Sequence, residues 1–448
     1  MGTPEPNPGL ERLYRQTGWT LRQFAQEVNR IGTERRTPTR YREPSVHQWL
    51  RGHLPRHGTR SLILEALARK LRRPVTHSEA GFPLPKGRST VRPGTVEELV
   101  DLGRDDMDPS RRSVIGAGLF SVALAVPNWR DIVGRMEAIQ TGQAQRIGMP
   151  EVETVIAMTE RLSDLDGEFG GRYARPMAAA FLVNVVAPYL KADAPIEVRK
   201  AMMSAASFLC YLTGWMAVDE GSHGTAQRYY VKGLELAGAC DDHLAYCHIL
   251  RGMSVQSANL GHGPKAVAWA NAASQASPLA SHRMIAFMAG QQAHSYAVAG
   301  ENSNALQSLQ ETEIALSKAD SRQGTFGGYN TATLAYTAAQ VRYHLGDVAG
   351  SVESLQLHFR LRDPKNDSHR SDLLFSTILA ERQLEIGHLD AACATWGRMM
   401  DEYPTIQSGR VDDHVKEMFR LIRPHLKNPA ARDLYERARL VAPSSLAA

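Results

Sequence analysis

The chain is poor in cysteine, with four (Cys210, Cys240, Cys247, Cys393) in 448 residues. That excludes a disulfide framework and fits a reducing compartment. The opening MGTPEPNPGLERLYR has no apolar core of the kind a secretory signal needs. No alternating apolar–polar pattern persists, so a β-rich fold is not expected. Nucleotide and catalytic signatures are missing too: no G-x-x-x-x-G-K-[ST], no G-x-G-x-x-G after a strand, no H-E-x-x-H and no G-x-S-x-G. The expectation is therefore no enzyme and no cofactor. Cys240, His243, Cys247 and His248 gather two thiols and two imidazoles, the ligand types zinc takes. Their spacing fits no C-x-x-C pairing and spans a turn between helices that would splay them, so no metal is expected.

What is present is charge, unevenly spread. Residues 1–90 hold 17 Lys/Arg against 7 Asp/Glu, a net +10, whereas the remaining 358 hold 35 against 40, a net −5. A basic head on a mildly acidic body points to nucleic acid as the partner of the head.

Within the head one stretch stands out, Ser45 to Gly52 (SVHQWLRG). Ser45 can cap a helix N-terminus, and Gly52 can end it in a left-handed conformation. Val46, Trp49 and Leu50 fall at i, i+3 and i+4 and make an apolar back. Ser45, His47, Gln48 and Arg51 face the other way. A short helix with an apolar back and a hydrogen-bonding front is what a DNA recognition helix requires, since Gln can bridge adenine N6/N7 and Arg guanine O6/N7. Trp49 belongs with the core, because it shares the stripe of Val46 and Leu50.

Three more helices surround it. Leu10, Leu13 and Tyr14 form a first stripe that closes near Gly18. Thr20 caps a second, with Leu21, Phe24, Ala25 and Val28. A fourth follows from Arg60, with Leu62, Leu64, Leu67, Ala68 and Leu71, and stops before Pro74. GWTLRQFAQEVNR, SVHQWLRGHLPR and LILEALARKLRRPV together resemble the lambda-repressor or XRE-type helix-turn-helix domain in its actinobacterial form, over roughly residues 9–82. The resemblance implies a DNA-binding domain. The chain departs from the short repressor pattern between the second and third helices, where Ile31 to Glu43 replaces a tight turn. Arg35, Arg36, Arg40 and Arg42 surround Tyr41 there, and such arginines can neutralise phosphates without reading sequence.

Residues 83–149 read as a joint. FPLPKGRSTVRP is a linker, Thr95 to Gly103 a short helix, and Trp129 to Gln145 another. Val114 to Val126 is an apolar run of 13 residues, short of the ~20 that span a bilayer. The arginine pair ahead of it has the look of a twin-arginine export signal, but it lies far into the chain behind a basic domain. A buried helix from Ser113 to Pro127 joining two domains is expected, with no membrane span and a cytoplasmic location.

From 150 to 440 the chain is rich in Ala, Leu and Met at helical spacing. Glycines at 221, 261, 300, 346 and 387 recur at intervals of 40, 39, 46 and 41 residues. Five residues after each comes a small residue (Ala226, Ala266, Ala305, Ser351, Ala392), and twelve before each of those another (Gly214, Ser254, Ala293, Ala339, Ala380). This predicts five helix–turn–helix units over 207–405 whose small residues let paired helices approach closely, with capping helices at 150–166, 172–192 and 411–440. The turns LGHGPKAVAWA, AGENSNALQSL, LGDVAGSVESL and IGHLDAACATW resemble tetratricopeptide repeats, in a unit longer than the usual ~34 residues.

The fold expected is thus all-α: a helix-turn-helix domain at 9–82, a joint at 83–149 and an α-solenoid at 150–440. The repeat register puts Arg251, Asn259, His294, Tyr336, Gln340, Tyr343 and Glu381 on the concave surface, where a peptide or small signal can bind. The functional expectation is a transcriptional regulator that binds double-stranded DNA and dimerises through its repeats. Resemblance to actinobacterial regulators joining such a head to such repeats, seen also around GWMAVDEGSHGTAQRYYVKGLELA, implies control of differentiation or antibiotic production. The alternative is a repeat-based adaptor whose head binds a protein.

Overall fold

The structure, a computed structural model, describes residues 6–34, 38–71, 75, 79–82, 94–107, 120–122, 124, 146–275, 280–319, 329–363 and 368–447. It is all-α. Among the described residues the only β pairing is an isolated bridge between Arg146 and Asp193.

Four helices make the head: α1 (Pro8–Thr17), α2 (Leu21–Glu34), α3 (Glu43–Leu50) and α4 (His57–Leu71). Leu10, Leu13, Phe24, Val28, Val46, Ile63 and Leu67 are buried together. Gly18 ends α1 with φ +66°. Thr20 and Gln23 form a reciprocal capping box at the start of α2: the Thr20 hydroxyl accepts from the Gln23 N–H (3.2 Å) and the Gln23 carbonyl from the Thr20 N–H (2.9 Å). Helix α3 starts two residues before the expected point. Arg42 occupies the N-cap without a side-chain cap bond, and Pro44 sits in the first turn. Proline lacks only an N–H that has no helical partner there, so it starts the helix as well as a serine cap would. Helix α4 likewise begins at His57 rather than Arg60.

Thr95–Met107 (α5) runs a turn beyond the expected Gly103. The expected helix from Ser113 to Pro127 falls largely outside the described residues, as does Trp129 to Gln145 entirely. Where that first segment is described, at 120–122 and 124, it is not helical. The reason is local: the Ser121 backbone exchanges two hydrogen bonds with the Gln227 side chain (2.7 and 3.0 Å), and the Val122 N–H donates to Glu65 (3.1 Å). Peptide groups bonded to side chains of two other helices cannot also build an i→i−4 ladder. These residues strap the head to the body. Glu65 of α4 is buried and also accepts from the Ser121 hydroxyl (2.7 Å) and Arg69 (2.9 Å), while the Phe120 ring stacks on His262 at 4.9 Å.

The body opens with α6 (Met149–Phe169) and α7 (Gly171–Phe181), which passes through a π turn (Leu182–Val186) into α8 (Ala187–Lys191). Five helix pairs follow: α9 (Ile196–Asp219) with α10 (His223–Ala239), α11 (His243–Asn259) with α12 (Gly263–Gln275), α13 (His282–Val298) with α14 (Asn302–Ser317), α15 (Thr331–His344) with α16 (Val348–Leu361), and α17 (His369–Glu385) with α18 (Leu389–Glu402). Helices α19 (Gly409–Ile422), α20 (Pro429–Val441) and α21 (Ser444–Ala447) complete the chain. The glycine ladder marks the turns. Gly221, Gly261, Gly300, Gly346 and Gly387 have φ of +72°, +74°, +79°, +86° and +85°, a region closed to most side-chain-bearing residues. The small residues meet across each pair. A Cβ on Gly214 would fall 2.7 Å from the Tyr230 ring, and the hydroxyls of Ser254 and Ser351 donate to the carbonyls of Ala266 and Ala339, each at 2.8 Å. Helix α9 is long and apolar enough to cross a membrane; here most of it is buried against α6, α7 and α10.

The repeats do not end as an open spiral. Helix α6 packs against both α9 of the first pair and α17 of the fifth. The Arg370 guanidinium bonds Asp166 (3.0 Å) and Asp219 (3.2 Å), Ser408 donates to Asp219 (2.8 Å), and the Gln407 N–H donates to the Phe169 carbonyl (2.7 Å). The two ends of the solenoid are thereby latched into a ring.

Candidate nucleic-acid interface and repeat interior

In the head, local packing decides which side chains of α3 face water. Val46 is fully buried and Trp49 is 6% exposed. The indole meets Tyr41 at 5.0 Å and Phe24 at 6.5 Å, edge to face in both cases. That contact explains the long segment before α3. Tyr41 packs under Trp49 and bonds Thr59 through its hydroxyl (2.8 Å). Asn29 of α2 grips the same backbone from both sides, donating to the Tyr41 carbonyl (2.8 Å) and accepting its N–H (2.7 Å) and the Thr39 hydroxyl (2.9 Å). The described part of the loop, 38–42, is therefore anchored, a role for Asn29 and Tyr41 that spacing alone did not reveal.

With its back fixed, α3 exposes His47 and Gln48, with Arg51 at its C-cap; Ser45 is half-buried. Arg40 and Arg42 are exposed beside them. Arg35 and Arg36 lie outside the described residues. No hydrogen bond or ion pair among the described residues engages the side chains of Arg40, Arg42, Gln48 or Arg51. Elsewhere on the head Arg15 is paired with Glu11 (2.6 Å), Arg30 with Glu27 and Glu34 (each 2.6 Å), and Arg69 with Glu34 (2.7 Å) and Glu65 (2.9 Å), whereas Arg12, Arg22 and Arg56 are exposed without an ion pair among the described residues. Positive charge is thus free beside α3, at Arg40, Arg42 and Arg51, and is only partly paired over the rest of the head. One group opposes this: Glu43 is exposed in the first turn of α3.

In the body, successive first helices of each pair pack on one another, α9 on α11, α11 on α13 and α13 on α15, and form the inner wall. The expected concave residues fare differently. The Arg251 guanidinium lies over the Phe287 ring at 3.6 Å, with its Nε on the Phe287 carbonyl (3.3 Å). Burial holds its pKa below the usual range. His294 is pushed down to about 3 by burial, then by the charges of His344, Arg382 and Arg251. Tyr336 stacks on Phe375 at 4.0 Å. Gln340 is buried, donating to the Tyr336 hydroxyl (2.6 Å) and accepting from Arg382. Tyr343 receives Arg382 over its ring at 4.2 Å, and Glu381 is paired with His414 at 2.7 Å. Asn259 is the last residue of α11, exposed beside its turn.

Two arginines missing from the expected set, Arg382 and Arg410, complete the interior. Arg382 is consumed structurally, donating also to the Ser351 hydroxyl (2.6 Å) and the Ala339 carbonyl (3.2 Å). Arg410 of α19 lies 6.0 Å from the centre of the Trp215 ring. It reaches the interior only because the ring closes. Among the described residues no group of three His, Cys, Asp or Glu side chains could hold a metal. The Cys240 and Cys247 thiols are buried.

Residues 10–83 match the model of the SP15 N-terminal domain family. No curated protein matches the chain. Among solved structures, the chain is similar to a kinesin-light-chain-type protein of Podosopora anserina with nearly identical TPR-like repeats: 18% identity, 43% of this chain, 92% of that chain and a TM-score of 0.33. It is also similar to a single-substitution form of that protein: 17% identity, 44% of this chain, 95% of that one and a TM-score of 0.34. Scores this low carry no argument. The helix-pair architecture rests on the glycine turns and small-residue contacts above.

Proposed function

We propose that this chain is a cytoplasmic, sequence-specific DNA-binding transcriptional regulator of the XRE type, with a repeat body that dimerises and senses a signal. The observation that carries the reading is the fixed back and free front of α3. Trp49 and Val46 hold it, and His47, Gln48 and Arg51 face water beside Arg40 and Arg42 with no carboxylate on them. Base-edge readout falls to Gln48 and Arg51, and the loop arginines grip phosphates. Two heads of a symmetric dimer would meet half-sites one DNA turn apart, ~34 Å, or a multiple of it. A signal alters DNA binding only as far as it favours one shape of the ring over another. The likeness to actinobacterial regulators supports control of differentiation or antibiotic production.

The rival reading is an adaptor whose head binds a protein; a body of stacked helix pairs suits protein partners. The separating experiment is Gln48→Ala with Arg51→Ala in the full chain. The regulator loses selection of genomic fragments while any captured protein partner is retained. Unchanged fragment selection would reject the regulator reading.

A further inference from the structure

The ring interior holds two guanidiniums with open donors. Arg251 uses only its Nε, on the Phe287 carbonyl. Among the described residues its two Nη groups have no partner, and none of the charges acting on it is a carboxylate. The Arg410 side chain makes no hydrogen bond or ion pair among the described residues. Both are half-buried, and neither has an unbonded nitrogen sealed from solvent. The nearby carboxylates bond other groups, though one Asp166 oxygen is buried without a hydrogen bond. Asp219 and Asp166 are taken by Arg370, with Ser408 and the Gly171 N–H also on Asp219, and Glu381 by His414. The Tyr230 hydroxyl is fully buried, lacks a hydrogen-bond partner and lies within the electrostatic reach of Arg410. The two arginines reach the same stretch of α9: a Cβ on Gly252, next to Arg251, would fall 2.7 Å from the Tyr211 ring, and Trp215, one turn further along, is the ring 6.0 Å from Arg410. Arg251 and Arg382 both act on His294, and Arg382 and Arg410 both act on Tyr336. Asp219 attracts Arg410 without bonding it, and no carboxylate acts on Arg251; a planar fork left open is the geometry that recognises carboxylate or phosphate bidentately. Flat aromatic rings lie between them, Trp215 and the Tyr336–Phe375 stack, while Phe287 is buried under the Arg251 guanidinium with His248 stacked on it at 5.2 Å.

We infer that the closed interior of the repeat ring binds a small organic anion, a planar ring system bearing a carboxylate or a phosphate, held by the open forks of Arg251 and Arg410 with its ring against Trp215 and Tyr336. This deepens the sensing reading of the body and is independent of whether the head binds DNA.

The test is fluorescence titration of the full chain at low salt with 2-naphthoate, 2-naphthyl phosphate and the neutral 2-naphthamide, in the absence of DNA. At least one anion should bind tenfold or more tightly than the amide, and which anion wins identifies the headgroup. Arg251→Met and Arg410→Met should each weaken that anion at least tenfold, with the melting temperature of Arg251→Met held or raised because a charge without a carboxylate partner has been removed. Arg410→Lys should fall between, keeping charge without the fork, and exposed Arg228→Met should change nothing. Equal binding of the amide would overturn the anion assignment while leaving a sensing interior. Binding of none of the three would overturn both. Full anion affinity in folded Arg251→Met and Arg410→Met proteins would place the site elsewhere.

Discussion

In the head, Arg40, Arg42 and Arg51 are exposed with no carboxylate bonded to them, whereas in the body Arg175 and Arg370 are buried between carboxylates. Arg175 is held by Asp106 and by Glu220 at 2.8 Å, Arg370 by Asp166 and Asp219. The same side chain is a reagent in one region and a fastener in the other. Burial and partnering decide which, and composition does not. A lone exposed pair contributes little, but breaking a buried one leaves a charge stranded in low dielectric.

The sharpest way to break this contrast is to remove a fastener. Arg370→Ala removes the bonded guanidinium from both Asp166 and Asp219, the latter 1% exposed and left with Ser408 and the Gly171 N–H, and should cost about 3–5 kcal/mol in urea unfolding. A loss below about 1 kcal/mol, the range of an exposed pair, would mean that the ring is not latched there.

The next effect is in pH. Burial depresses His248 to about 3, so it is neutral in the fold and charges readily only when unfolded. A depressed folded value gives stability that is complete above the ordinary value of ~6.5 and lost as pH falls toward 3. Between pH 7 and pH 5 the native chain should lose about 2 kcal/mol more than His248→Phe. Asp166, raised to about 6 chiefly by burial, acts oppositely. Its penalty eases as pH falls from 6 to 4, and it is common to both proteins, so it cancels in the difference. Parallel stability curves for the two would refute the assignment.

On the exposed side, Arg40→Ala or Arg42→Ala should weaken DNA binding about equally for all sequences and reduce the salt slope by about 1 each, with stability within about 0.5 kcal/mol. A change in sequence preference would instead make them base readers. The smallest effect is local. Gly261→Ala meets no atom within 4 Å but must adopt φ +74°, costing about 1–2 kcal/mol.

What was legible in the sequence was local. The glycine turns, the Ser254–Ala266 and Ser351–Ala339 contacts and the Thr20 cap all lie within one helix pair or one turn, where helical periodicity fixes who meets whom. The apolar back of α3 was legible for the same reason. The latch was not: Arg370 lies 204 residues from Asp166 and 151 from Asp219, and no periodicity links them. Arg410 therefore falls between the expected repeats, which end at 405, and the capping helix expected from 411, and nothing in the sequence singles it out. Gln340 sat in correct repeat register, yet Arg382 and Tyr336 claimed its amide. Asn29 and Tyr41 looked like ordinary helix and loop residues until the turn between α2 and α3 closed over Trp49.

The account stands on free positive charge beside α3. The most direct measurement is fluorescence anisotropy of the full chain on duplex DNA across a salt titration from about 50 to 200 mM. The logarithm of the binding constant should fall linearly with the logarithm of salt, by about 0.9 for each phosphate contacted, and the line for Arg51→Ala should lie below it. A binding constant unmoved by salt, or an Arg51→Ala line lying on that of the native chain, would contradict it.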